Sequence, residues 1–215
     1  MGSMGRGLIR SVRSGTSLPL TRHGRRISLR TLQASDYDQW IEIRERCRDW
    51  LVVWEPRPAN APFPAEDRHS FSGRCSLRER ERQLGTGFGF GIFVGETLVG
   101  ELTLSSVQRG PFQSAFIGYW VDEAMAGRGY VPEAVVVALA FAFEELDLHR
   151  IEISIIPRND RSLRVVDKLA IRNEGVAERF LQINGVWEDH ARFAMSSEEW
   201  VVRRDELVGD WIDGD

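Results

Sequence analysis

Residues 129–147 constrain the fold more than any other stretch, because they are apolar almost all the way round a helix. A helix without a polar face is buried inside a domain and does not lie on its surface. The flanking segments, residues 114–121 and 149–156, are rich in β-branched and aromatic residues and predict strands. The chain is therefore expected to fold around a sheet that this helix covers.

The remaining segments predict further strands and three more helices. Asn184-Gly185 lies between two alternating runs and predicts a hairpin with a type I′ turn. Ser35 is a candidate N-cap, and the prolines up to Pro64 predict a loop after the aromatic segment at residues 50–54. Strands are predicted at residues 26–31, 88–94, 98–107, 176–183 and 186–195, and helices from residue 35 and at residues 65–83 and 159–169. The predicted fold is α+β: one domain with a mixed, mostly antiparallel sheet flanked by helices.

Charge divides the 215-residue chain unevenly. Residues 1–30 hold seven of the 28 basic residues and no acid, which leaves 21 basic against 32 acidic residues in the remainder, a net charge of −11. We therefore expect a basic flexible tail over residues 1–25, a folded domain over 26–203 and an acidic tail over 204–215. The negative domain disfavours nucleic acid as its partner. The tail is expected to be a solvated leader, with contact to RNA or a ribosome left open.

No apolar run approaches the roughly 20 residues that a membrane-spanning helix needs, and no secretory signal is visible. We therefore expect a cytoplasmic protein with no membrane partner, either a monomer or a homodimer. Cys47 and Cys75 show no metal-ligand or redox spacing. The four histidines are scattered, so no metal site is expected.

Two strand-to-helix junctions suggest a binding site. Gly127-Arg128-Gly129 precedes the buried helix, whose first amides lack internal partners and can bind an anion such as a pyrophosphate. Neither Gly-x-Gly-x-x-Gly nor Gly-Lys-Ser/Thr is present, which argues against a dinucleotide site and a P-loop. At the second junction, Asn159 and Ser162 place an amide and a hydroxyl at the start of a helix, although a simple N-cap explains them equally well.

With these junctions, the sequence resembles the GNAT superfamily of N-acetyltransferases, and within it the bacterial ribosomal-protein alanine N-acetyltransferases of the Rim type. The resemblance covers residues 26–200. Its most specific parts are Ile117-Gly-Tyr-Trp, Ala126-Gly-Arg-Gly-Tyr130 with Glu133-Ala134, Leu148-His-Arg-Ile-Glu152, Asn159-Asp-Arg-Ser162, Val166-Asp-Lys-Leu169, Asn173-Glu-Gly175 and Ile183-Asn-Gly-Val-Trp-Glu-Asp-His190. It implies a GNAT-like sheet and transfer of acetyl from acetyl-CoA to a primary amine by direct attack in a ternary complex.

The resemblance also implies residue roles. Backbone amides of residues 127–131 would hold the pyrophosphate, Tyr119 and Val121 would flank the pantetheine arm, and Ser162 would lie near the thioester sulfur. The full set implied for the cofactor is Trp120, Val121, Gly127, Arg128, Gly129, Tyr130, Val131, Asn159, Ser162 and Lys168. Trp54, Trp187, Glu188 and Asp189 are expected to border the acceptor groove.

Three residues are the leading candidates for proton transfer, and two more are in reserve. Ser162 is expected to protonate the departing thiolate, with Tyr119 as its competitor. Glu101 is the first choice for drawing the proton from the amine through water, ahead of Glu152 and Glu188. A protein N-terminal amine, with a pKa near 8, is roughly one-tenth neutral at pH 7 and needs a weaker base than lysine.

The sequence departs from the family pattern in three places. Ala124 replaces a polar residue that could help the phosphates, and Phe116 replaces an acid that could act as a base. Ala170 stands where a glycine usually caps the helix, which predicts a strain of about 1 kcal/mol if the left-handed geometry persists.

The preferred acceptor is the N-terminal alanine or serine amine of a ribosomal protein. Two alternatives stay open: a small amine such as a polyamine, aminoglycoside or amino-acid analogue, and a non-catalytic sensor of acyl-CoA.

Overall fold

The computed structural model describes residues 20–60 and 66–213, which form one domain around an eight-stranded sheet. Its spatial order is β1-β2-β3-β4-β5-β6-β8-β7, and neighbours are antiparallel except for the parallel pair β5–β6. The predicted α+β class is confirmed. The strands are β1 Thr21–His23, β2 Ser28–Arg30, β3 Phe88–Val94, β4 Thr97–Gln108, β5 Ser114–Val121, β6 Arg150–Ile155, β7 Arg172–Ile183 and β8 Val186–Ser196.

Helices cover both faces of the sheet. α4 is buried from Val131 to Leu139, as its continuous apolar sequence predicts, and continues as a π-helical turn, Phe141–Glu145. α4, α5 and α6 share one core with the sheet, while α1, α2 and α3 pack a second core around Trp40 and Phe71 on the other face. The helices are α1 Tyr37–Arg46, α2 Arg48–Leu51, α3 Arg68–Leu84, α4 Tyr130–Ala140, α5 Asp160–Lys168 and α6 Ser197–Trp211.

Both predicted domain boundaries need correction. The sheet begins at Thr21, inside the segment expected to be a flexible tail, because β1 pairs with β2. The acidic tail expected from residue 204 is instead the second half of α6, which starts with a capping box between Ser196 and Glu199 and buries Leu207. Residues 1–19, which carry the rest of the predicted basic tail, lie outside the described residues, as do 61–65 and 214–215.

The aromatic segment after α1, which was expected only to end the helical periodicity, is itself helical. α2 leads directly into a 3₁₀ turn, Val52–Trp54, and Pro56 then forms an isolated antiparallel bridge with Ile183. Leu51 is buried, and the Trp50 indole donates to the Val121 carbonyl (3.2 Å), which fixes the segment against the end of β5.

Backbone strain occurs at the predicted place. Ala170 has a φ of 43° at the end of α5, the left-handed conformation that usually favours glycine.

Over residues 20–60 and 66–213, no helix is both long and apolar enough to cross a bilayer.

Candidate active site

A wedge opens where the two parallel strands part. β5 and β6 are paired only over Ser114–Phe116 and Arg150–Glu152. Beyond this point β5 stays paired with β4 as far as Val121, and β6 stays paired with β8 as far as Ile155. A cleft of about 1190 Å³ occupies this region and is lined by residues of both junctions. The two predicted junctions therefore meet at one site, at the carboxyl ends of parallel strands.

The loop between β5 and α4, residues 126–131, forms one wall of the cleft and is here called the glycine loop. Gly127 and Gly129 adopt positive φ angles of 78° and 85°, so the loop curls tightly before α4 begins at Tyr130. Among the described residues, none accepts a backbone hydrogen bond from the amides of residues 127–131. Successive unpaired amides at a helix start form a cradle for an anion.

Arg26 and Glu133 hold the glycine loop from behind, a role that sequence reasoning missed. The Arg26 guanidinium donates to the carbonyls of Arg128 (3.0 Å) and Gly129 (3.3 Å). It also donates to Glu133 (2.8 Å), whose fully buried carboxylate accepts from the backbone amides of Arg26 (2.5 Å) and Ile27 (3.0 Å). These contacts occupy the loop carbonyls and leave its amides available to a ligand.

At the second junction, the simple cap is confirmed. The Asn159 side-chain oxygen accepts from the Ser162 amide (3.2 Å), and both residues also line the cleft. Three cations follow on the cleft side of α5: Arg161, Arg164 and Lys168. Lys168 was predicted to bind the cofactor, whereas both arginines were missed, although their spacing of three and four residues places all three on one helix face.

Tyr119 and Ser162, the two candidate acids, lie together. The Tyr119 hydroxyl donates to the Ser162 backbone carbonyl (3.4 Å) across the wedge. Burial raises the pKa of the Tyr119 phenol well above its ordinary value. Tyr119 therefore keeps its proton at neutral and mildly alkaline pH and can act as a donor.

Glu101, the candidate base, lies on β4 and lines the cleft. Its carboxylate accepts from the Trp40 indole (2.7 Å) and from both terminal nitrogens of Arg74 (3.1 and 3.2 Å). Three donors fix its orientation, and its side chain remains 13% exposed. Glu101 is thus a well-positioned carboxylate that already has partners.

Arg44 continues this side of the cleft between two more acids. It donates to Glu66 (2.9 Å) and also pairs with Glu55. Burial lowers the pKa of Arg44, but its hydrogen bonds and charge interactions with both glutamates outweigh burial and hold the pKa above its usual value. We call this side the charged wall; it consists of Trp40, Arg44, Glu55, Glu66, Arg74 and Glu101. Its acids and arginines are paired with each other.

The four predicted acceptor residues are not gathered at the cleft. Trp54 lines it and lies under the Arg158 guanidinium, 4.7 Å from the ring centre. Glu188 reaches this corner only by its ion pair with Arg158 (2.5 Å). Trp187 is 58% exposed on the hairpin, and the Asp189 carboxylate accepts from a backbone amide of β7. The three residues are adjacent in sequence, but alternation along β8 sends Glu188 to the face opposite Trp187 and Asp189.

Two other predicted residues also lie outside the cleft lining. Glu152, a reserve base, is held on the sheet by Arg150 (3.2 Å) and Arg192. The Arg128 side chain is exposed, and its carbonyl is held by Arg26. Trp120, Val121, Tyr130 and Val131 all line the cleft.

The thiols are not activated. Cys47 is buried beside the Asp122 carboxylate (3.4 Å), and Cys75 is half-buried on α3. Burial raises the pKa of both thiols. Within the described ranges, no group of three or more His, Cys, Asp or Glu side chains could hold a metal ion.

Comparison with known proteins gives consistent matches. Residues 26–172 match the model of the acetyltransferase (GNAT) domain. The chain is 34% identical to the Probable N-acetyltransferase YjcK of Bacillus subtilis, over 80% of this chain and 94% of the relative. It is 28% identical to the [Ribosomal protein uS5]-alanine N-acetyltransferase of Escherichia coli, over 79% and 88%. The solved structure of Mycobacterium smegmatis RimJ in complex with CoA-disulfide superposes with a TM-score of 0.80, at 29% identity, over 90% of this chain and 95% of that one.

Proposed function

The chain belongs to the GNAT acetyltransferase family, and from this premise we propose that it transfers acetyl from acetyl-CoA to the N-terminal amine of a protein that begins with alanine or serine. The relative from E. coli is named as an N-acetyltransferase of alanine in ribosomal protein uS5. The observation that carries the proposal is one cleft with unpaired backbone amides on one side and carboxylates on the other.

The residues of the cleft fit coenzyme A. The unpaired amides of residues 127–131 suit its pyrophosphate, and the basic face of α5, with Arg161, Arg164 and Lys168, suits its phosphates. The wedge between β5 and β6 offers a narrow slot beside Tyr119 and Val121 for the pantetheine arm. When bound, acetyl-CoA supplies an acetyl group already activated as a thioester.

Proton handling falls to residues on opposite sides of the wedge. Tyr119 keeps a proton because burial raises its pKa, and Ser162, whose backbone carbonyl accepts from Tyr119, also lines the cleft. Glu101 lies on the charged wall, where it can accept a proton from the attacking amine through water. We assign the donor role to the Tyr119–Ser162 pair and the base role to Glu101.

The charged wall favours a singly charged amine over a polyamine. Glu55, Glu66 and Glu101 are each paired with an arginine, so the wall is not a strongly negative trap for several cations. An N-terminal amine, with a pKa near 8, is partly neutral at pH 7 and requires only modest help from a base. A protein N-terminus therefore suits this site better than a lysine or a polycation.

Release of free CoA tests the proposal. Purified protein and acetyl-CoA are mixed with hexapeptides beginning in Ala or Ser, with the same peptides already N-acetylated, and with a panel of small amines. Release that depends on the unblocked peptides supports the proposal. Release with small amines alone would reassign the acceptor, and tight acetyl-CoA binding without release for any acceptor would make the protein a sensor.

A further inference from the structure

Gly118 is a glycine that the fold itself does not require. It lies in the middle of β5, its φ is not in the left-handed region, and a Cβ added there would meet no atom within 4 Å. A glycine inside a strand weakens the strand, and it often marks a place where a ligand approaches closely. The position is exposed and lines the cleft.

Neighbouring glycines in the sheet have plain structural reasons. A Cβ at Gly100 would collide with the backbone of Trp120 and Val121. A Cβ at Gly91 would come within 2.6 Å of the Phe93 ring. Packing excludes a side chain at each of these two glycines, whereas a side chain at Gly118 would enter open space.

The register places Gly118 on the acceptor side of the wedge. It is paired with Thr103 on β4, and its neighbour Trp120 is paired with Glu101. Alternation sends Tyr119 to the opposite face, where its hydroxyl meets Ser162. The open face of Gly118 is therefore on the side of the charged wall and not on the side of the Tyr119 hydroxyl.

Aromatic residues flank Gly118 along the strand, and one of them, Trp120, also lines the cleft. Phe116 and Trp120 lie two residues to either side on the same face, roughly 13 Å apart at about 3.3 Å per residue. Phe116 is also the last β5 residue paired with β6, so Gly118 lies just inside the wedge. Gly118 therefore lies at the entrance of the wedge, with open space above its backbone.

We propose that Gly118 is a specificity-determining residue whose missing side chain leaves room for the first residue of the peptide acceptor. The proposal rests on the proposed function, because it assumes that an amine reaches the wedge from the charged wall. A methyl group at this position displaces the acceptor from the attacking geometry and leaves acetyl-CoA binding unchanged.

The test combines activity, binding and stability in Gly118→Ala and Gly118→Val. Since a misplacement of about 1 Å costs on the order of 100-fold in rate, we expect kcat/KM for the acceptor to fall by roughly that factor in Gly118→Val, and by less in Gly118→Ala. The Kd of acetyl-CoA should not change. The melting temperature should rise by roughly 2 °C, because alanine and valine suit a strand better than glycine.

Gly73→Ala is the matched control. Gly73 is exposed on α3, has equally open space around it and does not line the cleft. This variant should become more stable and retain full activity. A loss of acetyl-CoA affinity in Gly118→Ala, or unchanged acceptor turnover in Gly118→Val, would overturn the proposal.

A stable conjugate separates this proposal from the proposed function. In it, the sulfur of CoA is joined through a –CH2–CO– bridge to the N-terminal nitrogen of an Ala-initiated hexapeptide. Wild-type protein should bind the conjugate more tightly than acetyl-CoA, and Gly118→Val should lose that gain. If wild-type protein shows no gain, the peptide acceptor is wrong and the Gly118 proposal falls with it. If both proteins show the same gain, only the Gly118 proposal fails.

Discussion

The two sides of the cleft present different chemical groups to a ligand. The glycine loop offers backbone amides, and the side chains that matter to it, Arg26 and Glu133, hold it from outside the cleft. The charged wall offers side chains directly, with Glu101 and Arg44 fixed by oppositely charged neighbours. One side therefore depends on a supporting contact behind it, and the other depends on the exact groups that face the ligand.

This difference explains why two departures from the family pattern are tolerable. Ala124 removes a side chain near the glycine loop, but the backbone amides remain in place. Phe116 removes a possible acid, but Glu101 on the charged wall still presents a carboxylate. The comparison predicts that changes behind the glycine loop alter stability and cofactor affinity, and that changes on the charged wall alter turnover.

The largest expected effect is on stability. Glu133→Ala should lower the free energy of unfolding by about 3 kcal/mol, because it leaves buried amide donors without a partner and Arg26 without its counter-ion. Denaturant unfolding measures the loss. The control is Glu145→Ala, which removes a similar but exposed partner of Arg22 and should cost less than about 1 kcal/mol. Equal losses in the two variants would mean that the glycine loop has no special support.

Turnover should respond most strongly on the charged wall. Glu101→Gln should lower kcat on the order of 100-fold with little change in the Kd of acetyl-CoA, because the amide cannot accept the proton. Stopped assays of CoA release and calorimetric binding measure the two quantities. Glu81→Gln is the control, since Glu81 also pairs with an arginine of α3, Arg78 (3.1 Å), but does not line the cleft. An unchanged kcat in Glu101→Gln would mean that Glu101 only holds Arg74 and Trp40 in position and does not accept the proton.

The proton donor gives a smaller effect and a pH profile. Tyr119→Phe and Ser162→Ala should each lower kcat about tenfold, with acetyl-CoA affinity retained. Because burial raises the pKa of Tyr119, its neutral form persists above pH 10, and wild-type activity should show no alkaline decline below that pH. The rate should instead rise up to about pH 8 as the acceptor amine loses its proton. A decline between pH 8 and 10 would contradict the assignment of Tyr119.

Arg26 tests the support of the glycine loop through the loop carbonyls, and its removal also takes the charged partner from the buried Glu133 carboxylate. Arg26→Ala should raise the KM for acetyl-CoA about fivefold at nearly constant kcat, since two hydrogen bonds to the loop carbonyls are lost. Arg26→Lys, which keeps the charge but not the fork of donors, should recover only part of the affinity. A fall in kcat at constant KM would contradict this expectation, because Arg26 would then affect turnover, as the charged wall does, and not cofactor affinity.

Sequence reasoning succeeded where the signal is local. The glycine loop, the Asn159 cap and the strain at Ala170 each depend on a few adjacent residues. The contact of Arg26 with Glu133 joins residues 107 positions apart, so no local pattern reveals it. A single acid in an otherwise apolar helix was the available signal.

The remaining errors have the same origin. The second half of α6 was taken for an acidic tail because its charges hide the spacing of Trp200, Leu207 and Val208, which tertiary packing buries. Neighbours in sequence, Trp187 to Asp189, were grouped although a strand sends successive side chains to opposite faces. The pairing of arginines with acids on the charged wall depends on three elements meeting, and it becomes visible only in the fold.

The smallest expected effect is on stability, at an ion pair outside the cleft. Glu174 on β7 lies between Arg150 (3.1 Å) and Arg172 (2.5 Å), and the hydrogen bond from Arg150, followed by that from Arg172, lowers its pKa to about 2. Because its pKa is lowered in the folded protein, the ionised Glu174 stabilises the fold at pH values above its ordinary pKa. This stabilisation is lost as the pH falls through about 2. Because the carboxylate is near the surface, Glu174→Gln should cost at most about 1 kcal/mol at pH 7 and almost nothing at pH 2, measured by urea unfolding at both pH values. Like the acids of the charged wall, Glu174 is paired with arginine, but it does not face the cleft. Its variant should therefore retain full acetyl-transfer activity. A loss of turnover here would mean that arginine–glutamate pairing anywhere on the sheet affects the reaction, and the distinction between the two sides of the cleft would no longer hold.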